Sequence, residues 1–173
     1  MNSDFDYDKI QLFYKQPIII GPLGRTNLIV ELGKTYGTIP LGLMSVIPGN
    51  QTYFTIENTF NNLNFYEFVS DQYATFQWNH NFSGRLFSRI PFMKKLNWRE
   101  IIAVRAVYGT ISEDNKKINA SGLNYKDPEK PYWEYSAGIG NIFKVLRIDF
   151  SWRGNYRNLP ESPNFTVKGS FGF

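Results

Sequence analysis

The chain has 173 residues, a net charge of +4, no cysteine, one histidine (His80) and 17% aromatic residues at a mean hydropathy of only −0.35. These values exclude a disulfide framework, a thiolate metal site and most histidine-based metal or triad chemistry. No apolar run approaches the roughly 18–20 residues of a spanning helix, and with Lys94-Lys95 and Lys116-Lys117 as the only basic doublets there is no stripe for nucleic acid.

Met1 to Asp8 is acidic and polar, without the basic and apolar regions of a signal peptide. The chain therefore reads either as cytoplasmic or as a piece of a longer exported chain, and its C-terminal pattern favours the second. A tight turn is expected at Gly21–Arg25, punctuated by Pro and Gly. After it the dominant period is two, the signature of a strand with one apolar and one polar face. Leu28, Val30 and Leu32 oppose Ile29, Glu31 and Gly33. A long loop follows over 36–62. The stretch 65–82 reads as one long strand, in which Ala74, Phe76, Trp78, His80 and Phe82 oppose Tyr73, Thr75, Gln77, Asn79 and Asn81. The connection 83–97 carries the one expected turn of helix, around Phe92–Leu96. Over 99–112, Ile102, Val104, Ala106 and Tyr108 form one face, and Arg105 shares the other with Ile101, Ala103 and Val107.

Residues 112–131 read as a long polar loop. Trp133, Tyr135, Ala137 and Ile139 then oppose Glu134, Ser136, Gly138 and Gly140. A tight turn at 141–144 leads to Leu146, Ile148, Phe150 and Trp152, opposed by Arg147, Asp149, Ser151 and Arg153. A loop over 154–164 precedes a last strand, Phe165 to Phe173, in which Phe165, Val167, Phe171 and Phe173 share a face against Thr166, Lys168 and Ser170. Short turns alternate with long loops, as on the two rims of an outer-membrane barrel, except that 83–97 falls where a short turn is expected and is too long for one. Several segments reach the 9–11 residues of a bilayer-crossing strand, beyond the usual 5–6 of soluble strands. Trp133, Tyr135, Trp152 and Tyr108 suit an interfacial girdle, and Glu31, Arg105, Glu134, Arg147, Asp149, Arg153 and Lys168 suit a polar lumen. Alternation by itself leaves a soluble antiparallel β-sandwich binding module open as the alternative.

Ser136-Ala137-Gly138-Ile139-Gly140, then Leu146-Arg147-Ile148-Asp149-Phe150, then the Phe- and Gly-rich run to Phe173 resemble the BamA/TamA-type surface-antigen barrels of the bacterial outer membrane. Pro48 to Phe54, Phe65 to Asp71, Arg89-Ile90-Pro91-Phe92 and Trp98-Arg99-Glu100 look more specifically like the Bacteroidota outer-membrane proteins that couple such a barrel to an N-terminal carboxypeptidase-regulatory-like domain. Together the likeness covers most of 24–173. It implies that 1–173 is the C-terminal part of an antiparallel transmembrane β-barrel, its last six to eight strands, in the cell outer membrane. It further implies a non-enzymatic role in assembling, anchoring or transporting envelope components. The implied partners are membrane lipid, the outer-membrane assembly machinery and envelope proteins, with no cofactor. Phe165, Val167, Phe171 and Phe173 would be the assembly signal. Where the family carries an Arg-Gly-aromatic motif on the loop that enters the lumen, this chain has Pro48, Gly49, Asn50, Gln51, Thr52 and Tyr53. The Arg is absent, so insertase activity does not carry over.

No other constellation points to catalysis. His80 reads as a packing residue between Trp78 and Phe82. Glu67 and Asp71 at spacing four on a strand would stand about 13 Å apart, too far for joint acid–base work. Glu113, Asp114, Asp127 and Glu129 read as solvated loop charge, and Gly138 and Gly140, with no helix after them, as sites of close approach rather than a nucleotide loop.

Overall fold

A computed structural model describes residues 6–119, 130–159 and 162–171. The period-two segments form one seven-stranded antiparallel sheet: β1 (Asp8–Ile19), β2 (Arg25–Tyr36), β5 (Gln72–Asn81), β6 (Arg99–Thr110), β7 (Tyr132–Ile142), β8 (Leu146–Arg153) and β9 (Phe165–Phe171), each paired with the next. The sheet is open, with β1 and β9 at its two ends. The only other sheet among the described residues is the two-stranded pair β3 (Ser45–Val46) and β4 (Val69–Ser70). The described residues do not form a sandwich of two packed layers. Among the described residues, helix is confined to two six-residue pieces, α1 (Pro91–Leu96) and α2 (Glu113–Ile118), and short 3-10 turns, and neither helix is long or apolar enough to cross a membrane.

Three sequence expectations need correction. β1 is a strand that the sequence pattern does not announce, because Phe13 interrupts the polar set and Pro17 interrupts the ladder. Proline is tolerated there because β1 is an edge strand with its outer N–H row unpaired. The stretch 65–82 is not one strand: Tyr66 adopts φ 57°, which turns the chain out of extended geometry, and pairing with β2 and β6 begins only at Gln72. Within 112–131, Glu113 and Asp114 open α2 and Lys116 and Lys117 close it, the charge order that suits the helix dipole.

The meander puts the β1–β2, β5–β6 and β7–β8 connections on one rim and the β2–β5, β6–β7 and β8–β9 connections on the other. On the first rim, Arg85 donates to Pro22 O (3.0 Å) and Asn141 Nδ2 to Asn97 O (2.7 Å). On the second, Asn115 Oδ1 accepts from Ile39 N–H (2.8 Å), which ties α2 to the β2–β5 loop.

Register makes each face continuous, since directly paired residues point the same way. One face carries Tyr14, Val30, Phe76, Ala106, Trp133 and their alternates. It is apolar and uncovered: Phe76, Tyr108, Trp133 and Val167 are 42–49% exposed. The other face carries Arg105, Glu134, Ser151, Arg153 and Lys168, all under 5% exposed. What buries it is the chain's own β2–β5 loop, folded back across the sheet. Both clusters of buried apolar residues lie on this loop side. Ile47, Phe60, Leu63 and Phe68 pack on Val107 and Tyr132, and Ile39, Met44 and Val69 pack on Ile111.

The loop also reveals the shape of the sheet. Thr55 N–H donates to Gly169 O on β9 (2.7 Å), while Glu57 pairs with Lys15 on β1. In a flat sheet the first and seventh strands would stand about 29 Å apart. Three loop residues offer only about 7 Å of backbone, and two side chains do not cover the rest, so the sheet curls round the loop.

Candidate functional site

The site is the seam between the folded-back loop and the polar face of β6 to β9. Local chemistry shapes the loop tip first. Asn50 accepts from Thr52 N–H (3.0 Å) and its hydroxyl (2.8 Å) and donates to Phe54 O (2.8 Å), closing a tight turn on itself. Gly49 lies beside Phe60, and a Cβ there would fall 2.4 Å from Leu63 O and 2.6 Å from Asn64 O, so the approach of two backbones admits only glycine. Phe60 N–H donates to Pro48 O (2.9 Å) and Gln51 Nε2 to Asn64 Oδ1 (3.0 Å), which bind the outgoing and returning arms.

The sheet then grips this tip. Lys168 Nζ donates to Asn50 O and Thr52 O (2.7 Å). Gly169 N–H donates to Tyr53 O (2.9 Å) on the side of β9 away from β8, so the loop caps part of the sheet's last edge. Asp149 accepts from the Thr55 hydroxyl (3.2 Å) through one oxygen, and through the other from Arg147 Nε (2.9 Å) and Nη2 (2.7 Å). Gly138 leaves room for that carboxylate, since a Cβ would sit 2.3 Å from Asp149 Oδ1.

Deeper along the loop, Glu134 accepts from Asn61 N–H (2.7 Å), Asn62 N–H (2.9 Å) and the Tyr132 hydroxyl (2.9 Å), with Arg105 Nη1 3.4 Å away. Arg153 donates to both oxygens of Glu67 (2.8–2.9 Å) and to Asn62 O, and its guanidinium lies 5.1 Å from the Tyr132 ring centre. Asn61 Nδ2 reaches Ser151 Oγ (2.9 Å). These bonds fall on loop backbone as often as on side chains. They hold one loop conformation against the sheet.

A second clasp lies at the rim. Asp71 accepts from Ser112 N–H (2.7 Å) and Asn115 Nδ2 (2.9 Å). Burial pushes its carboxyl up, but the hydrogen bonds from Ser112 and Asn115 outweigh that and hold it below the usual carboxylate range.

Two groups of residues singled out in the sequence thus converge. Lys168 and Asp149, the latter oriented by Arg147, meet Pro48 to Tyr53 and Thr55, and Glu134 with Arg105 meets the same loop further on. Glu31 stands apart, accepting from Gln11 and from the Tyr73 hydroxyl (2.6 Å). Tyr53 contributes backbone only; its side chain is 88% exposed. Phe165, Val167 and Phe171 lie exposed on the apolar face, and Phe173 is outside the described residues. Glu67 lies in the loop and not on a strand, and it and Asp71 answer different partners: Arg153 for one, α2 for the other. The turn-forming run Asn61-Asn62-Leu63-Asn64 was the available signal that the loop extends to Glu67. His80 stacks on Trp78 (5.8 Å) and meets Phe82 edge to face (4.4 Å), with Nδ1 2.6 Å from the Thr26 hydroxyl and Nε2 3.0 Å from Leu23 O. Both ring nitrogens are occupied in packing. Glu113 and Asp114 pair with Lys116 and Lys117 at the surface, and Asp127 and Glu129 are outside the described residues.

Opposite the seam, an aromatic ladder crosses three strands on the apolar face. Trp133 stacks on Tyr135 (5.7 Å), Tyr135 on Trp152 (5.5 Å), and Trp152 meets Phe165 (5.4 Å).

A family model described as the C-terminal domain of a family of unknown function, DUF5686, matches residues 1–139. No curated protein and no solved structure matches the chain.

Proposed function

The chain belongs to the DUF5686 C-terminal domain family, and we propose from its side chains that it forms the C-terminal part of a non-enzymatic β-barrel of the outer membrane, of the BamA/TamA surface-antigen type found in Bacteroidota. The observation that carries this reading is the inversion of polarity. The sheet hides its charges under its own loop and leaves its aromatic face bare. Fully burying each such side chain is worth about 1.5–3 kcal/mol, so a wide uncovered apolar face calls for a non-aqueous neighbour. A lipid bilayer supplies one, and the polar face then lines the lumen. The aromatic ladder near one rim supports the same placement. In this reading Phe165, Val167, Phe171 and Phe173 are read by the assembly machinery, and the β2–β5 loop folds into the lumen. Held there by Lys168, Glu134 and Arg153, it would set what the barrel assembles, anchors or moves among envelope components. The rim of the β2–β5, β6–β7 and β8–β9 loops faces outside and the rim of the β1–β2, β5–β6 and β7–β8 connections the periplasm.

Fractionation and labelling of cells test it. The full-length protein is expected in the outer-membrane fraction after a carbonate wash. A membrane-impermeant maleimide is expected to label Glu113→Cys but not Lys144→Cys in intact cells. Recovery in the soluble fraction would end the reading, and labelling of Lys144→Cys alone would invert its orientation.

A further inference from the structure

The β5–β6 connection has no core of its own. Its 3-10 turn (Phe87–Arg89) and α1 bury no residue, and Leu86, Ile90, Phe92 and Leu96 are 37–71% exposed. Local signals define the helix: Pro91 opens it and Asn97, at φ 54°, closes it in the left-handed conformation. Six residues is nonetheless far below the roughly 12–15 at which an isolated helix is even marginal in water. The segment hangs on few bonds: the Glu100 carboxylate accepting from Phe87 N–H, Arg85 on Pro22 O, and Asn141 on Asn97 O. Its charge is one-sided. Residues 83–99 carry five cations, Arg85, Arg89, Lys94, Lys95 and Arg99, and no acid. Lys144 on the neighbouring β7–β8 turn adds another, next to Phe143, which is 88% exposed. The β2–β5 loop, on the opposite rim, has the reverse: Glu57, Glu67 and Asp71, and no Lys or Arg between 37 and 71.

We propose that residues 83–97, with the Phe143-Lys144 turn, form a collar that lies in the headgroup region of an anionic phospholipid leaflet. Exposed apolar side chains interleaved with lysine and arginine on a short helix are what an interfacial anchor needs. A leaflet surface accounts for both halves of that composition, whereas an acidic protein partner would account for the cations alone. The collar joins the end of β5 to the start of β6, so it stands at the rim where those strands leave the bilayer. The inference rests on the membrane reading above and adds to it the leaflet chemistry at this rim.

These 173 residues hold no cysteine, so single labelling sites can be introduced once any cysteine elsewhere in the full-length protein is changed to serine. The full-length protein is reconstituted in vesicles with a fluorophore on Phe92→Cys or, separately, on Phe76→Cys. Quenching is compared for nitroxide-headgroup phosphatidylglycerol and phosphatidylcholine at equal mole fraction, and for acyl-chain nitroxides. The expected result is acyl-chain quenching at Phe76→Cys and stronger headgroup quenching by the anionic lipid at Phe92→Cys. That preference should vanish in the triple variant Arg89→Gln, Lys94→Gln, Lys95→Gln, and in about 1 M salt, where the Debye length falls to roughly 3 Å. Quenching at Phe76→Cys with no anionic preference, or none at all, at Phe92→Cys overturns the collar and leaves the membrane reading standing. No quenching at Phe76→Cys overturns both.

Discussion

Arg153 on β8 and Glu67 at the foot of the β2–β5 loop, 86 positions apart, form a buried ion pair in which the guanidinium donates to both carboxylate oxygens. Neither side chain is more than 8% exposed. Such a pair adds little net stability over an apolar pair of the same size, but losing one member strands a buried charge. Glu67→Ala is therefore expected to cost about 3–5 kcal/mol. The double variant Glu67→Leu, Arg153→Met should cost less than Glu67→Ala alone. Urea unfolding in detergent, followed by tryptophan fluorescence, measures both. A double variant worse than the sum of its singles would show that the pair does more than neutralise itself.

Gly49 sets the entry of the loop tip. The clash that Gly49→Ala creates is with backbone carbonyls of Leu63 and Asn64, which cannot rotate aside as a side chain would. The tip should lift from Lys168, and added protease should then cut within 48–56 in the variant while sparing the wild type. Gly42→Ala, where a Cβ meets nothing within 4 Å, serves as the control and should leave the loop protected.

Asp71 makes the rim clasp acid-sensitive. Its folded pKa lies below the ordinary value of about 3.9. Its contribution is therefore fully present above the unfolded pKa and is lost as pH falls from there through the folded value. Pepsin, active across that range, should cut near residues 37–44 at pH 2 and not at pH 4. Asp71→Asn, which keeps the shape but weakens bonds to Ser112 and Asn115 worth about 1–3 kcal/mol, should be cut already at pH 4. Equal cutting of the wild type at both pH values would remove Asp71 from the clasp.

The faces of the sheet were legible because a period of two survives any uncertainty about where strands end. Leu146 to Trp152 and Trp133 to Ile139 point as their alternation demands. What alternation cannot encode is where the chain stops being a strand. Phe65-Tyr66-Glu67-Phe68-Val69 is rich enough in aromatic and β-branched residues to read as one, yet the turn at Tyr66 assigns Glu67 to the loop and to Arg153. β1 was hidden by the reverse problem, a real strand with Pro17 in it. The pairing of Lys168 with Asn50 and Thr52 spans more than 110 positions and leaves no local trace. α2 did leave one in its acid-first, base-last order, but the surrounding polar residues masked it as loop.

The central claim is that alternate residues of each strand meet lipid and the loop-covered interior. β7 tests it most directly, because its exposed set (Trp133, Tyr135, Ala137) and its buried set (Glu134, Ser136, Gly138) interleave over six positions. Single cysteines at 133 to 139 in the full-length protein, each carrying a fluorophore, would be scanned in bilayers of acyl-chain-brominated lipid. Strong quenching at 133, 135, 137 and 139 with little at 134, 136 and 138 is the result this account expects. Quenching without a period of two, or a protein that stays monodisperse in water with those odd positions shielded, would contradict it.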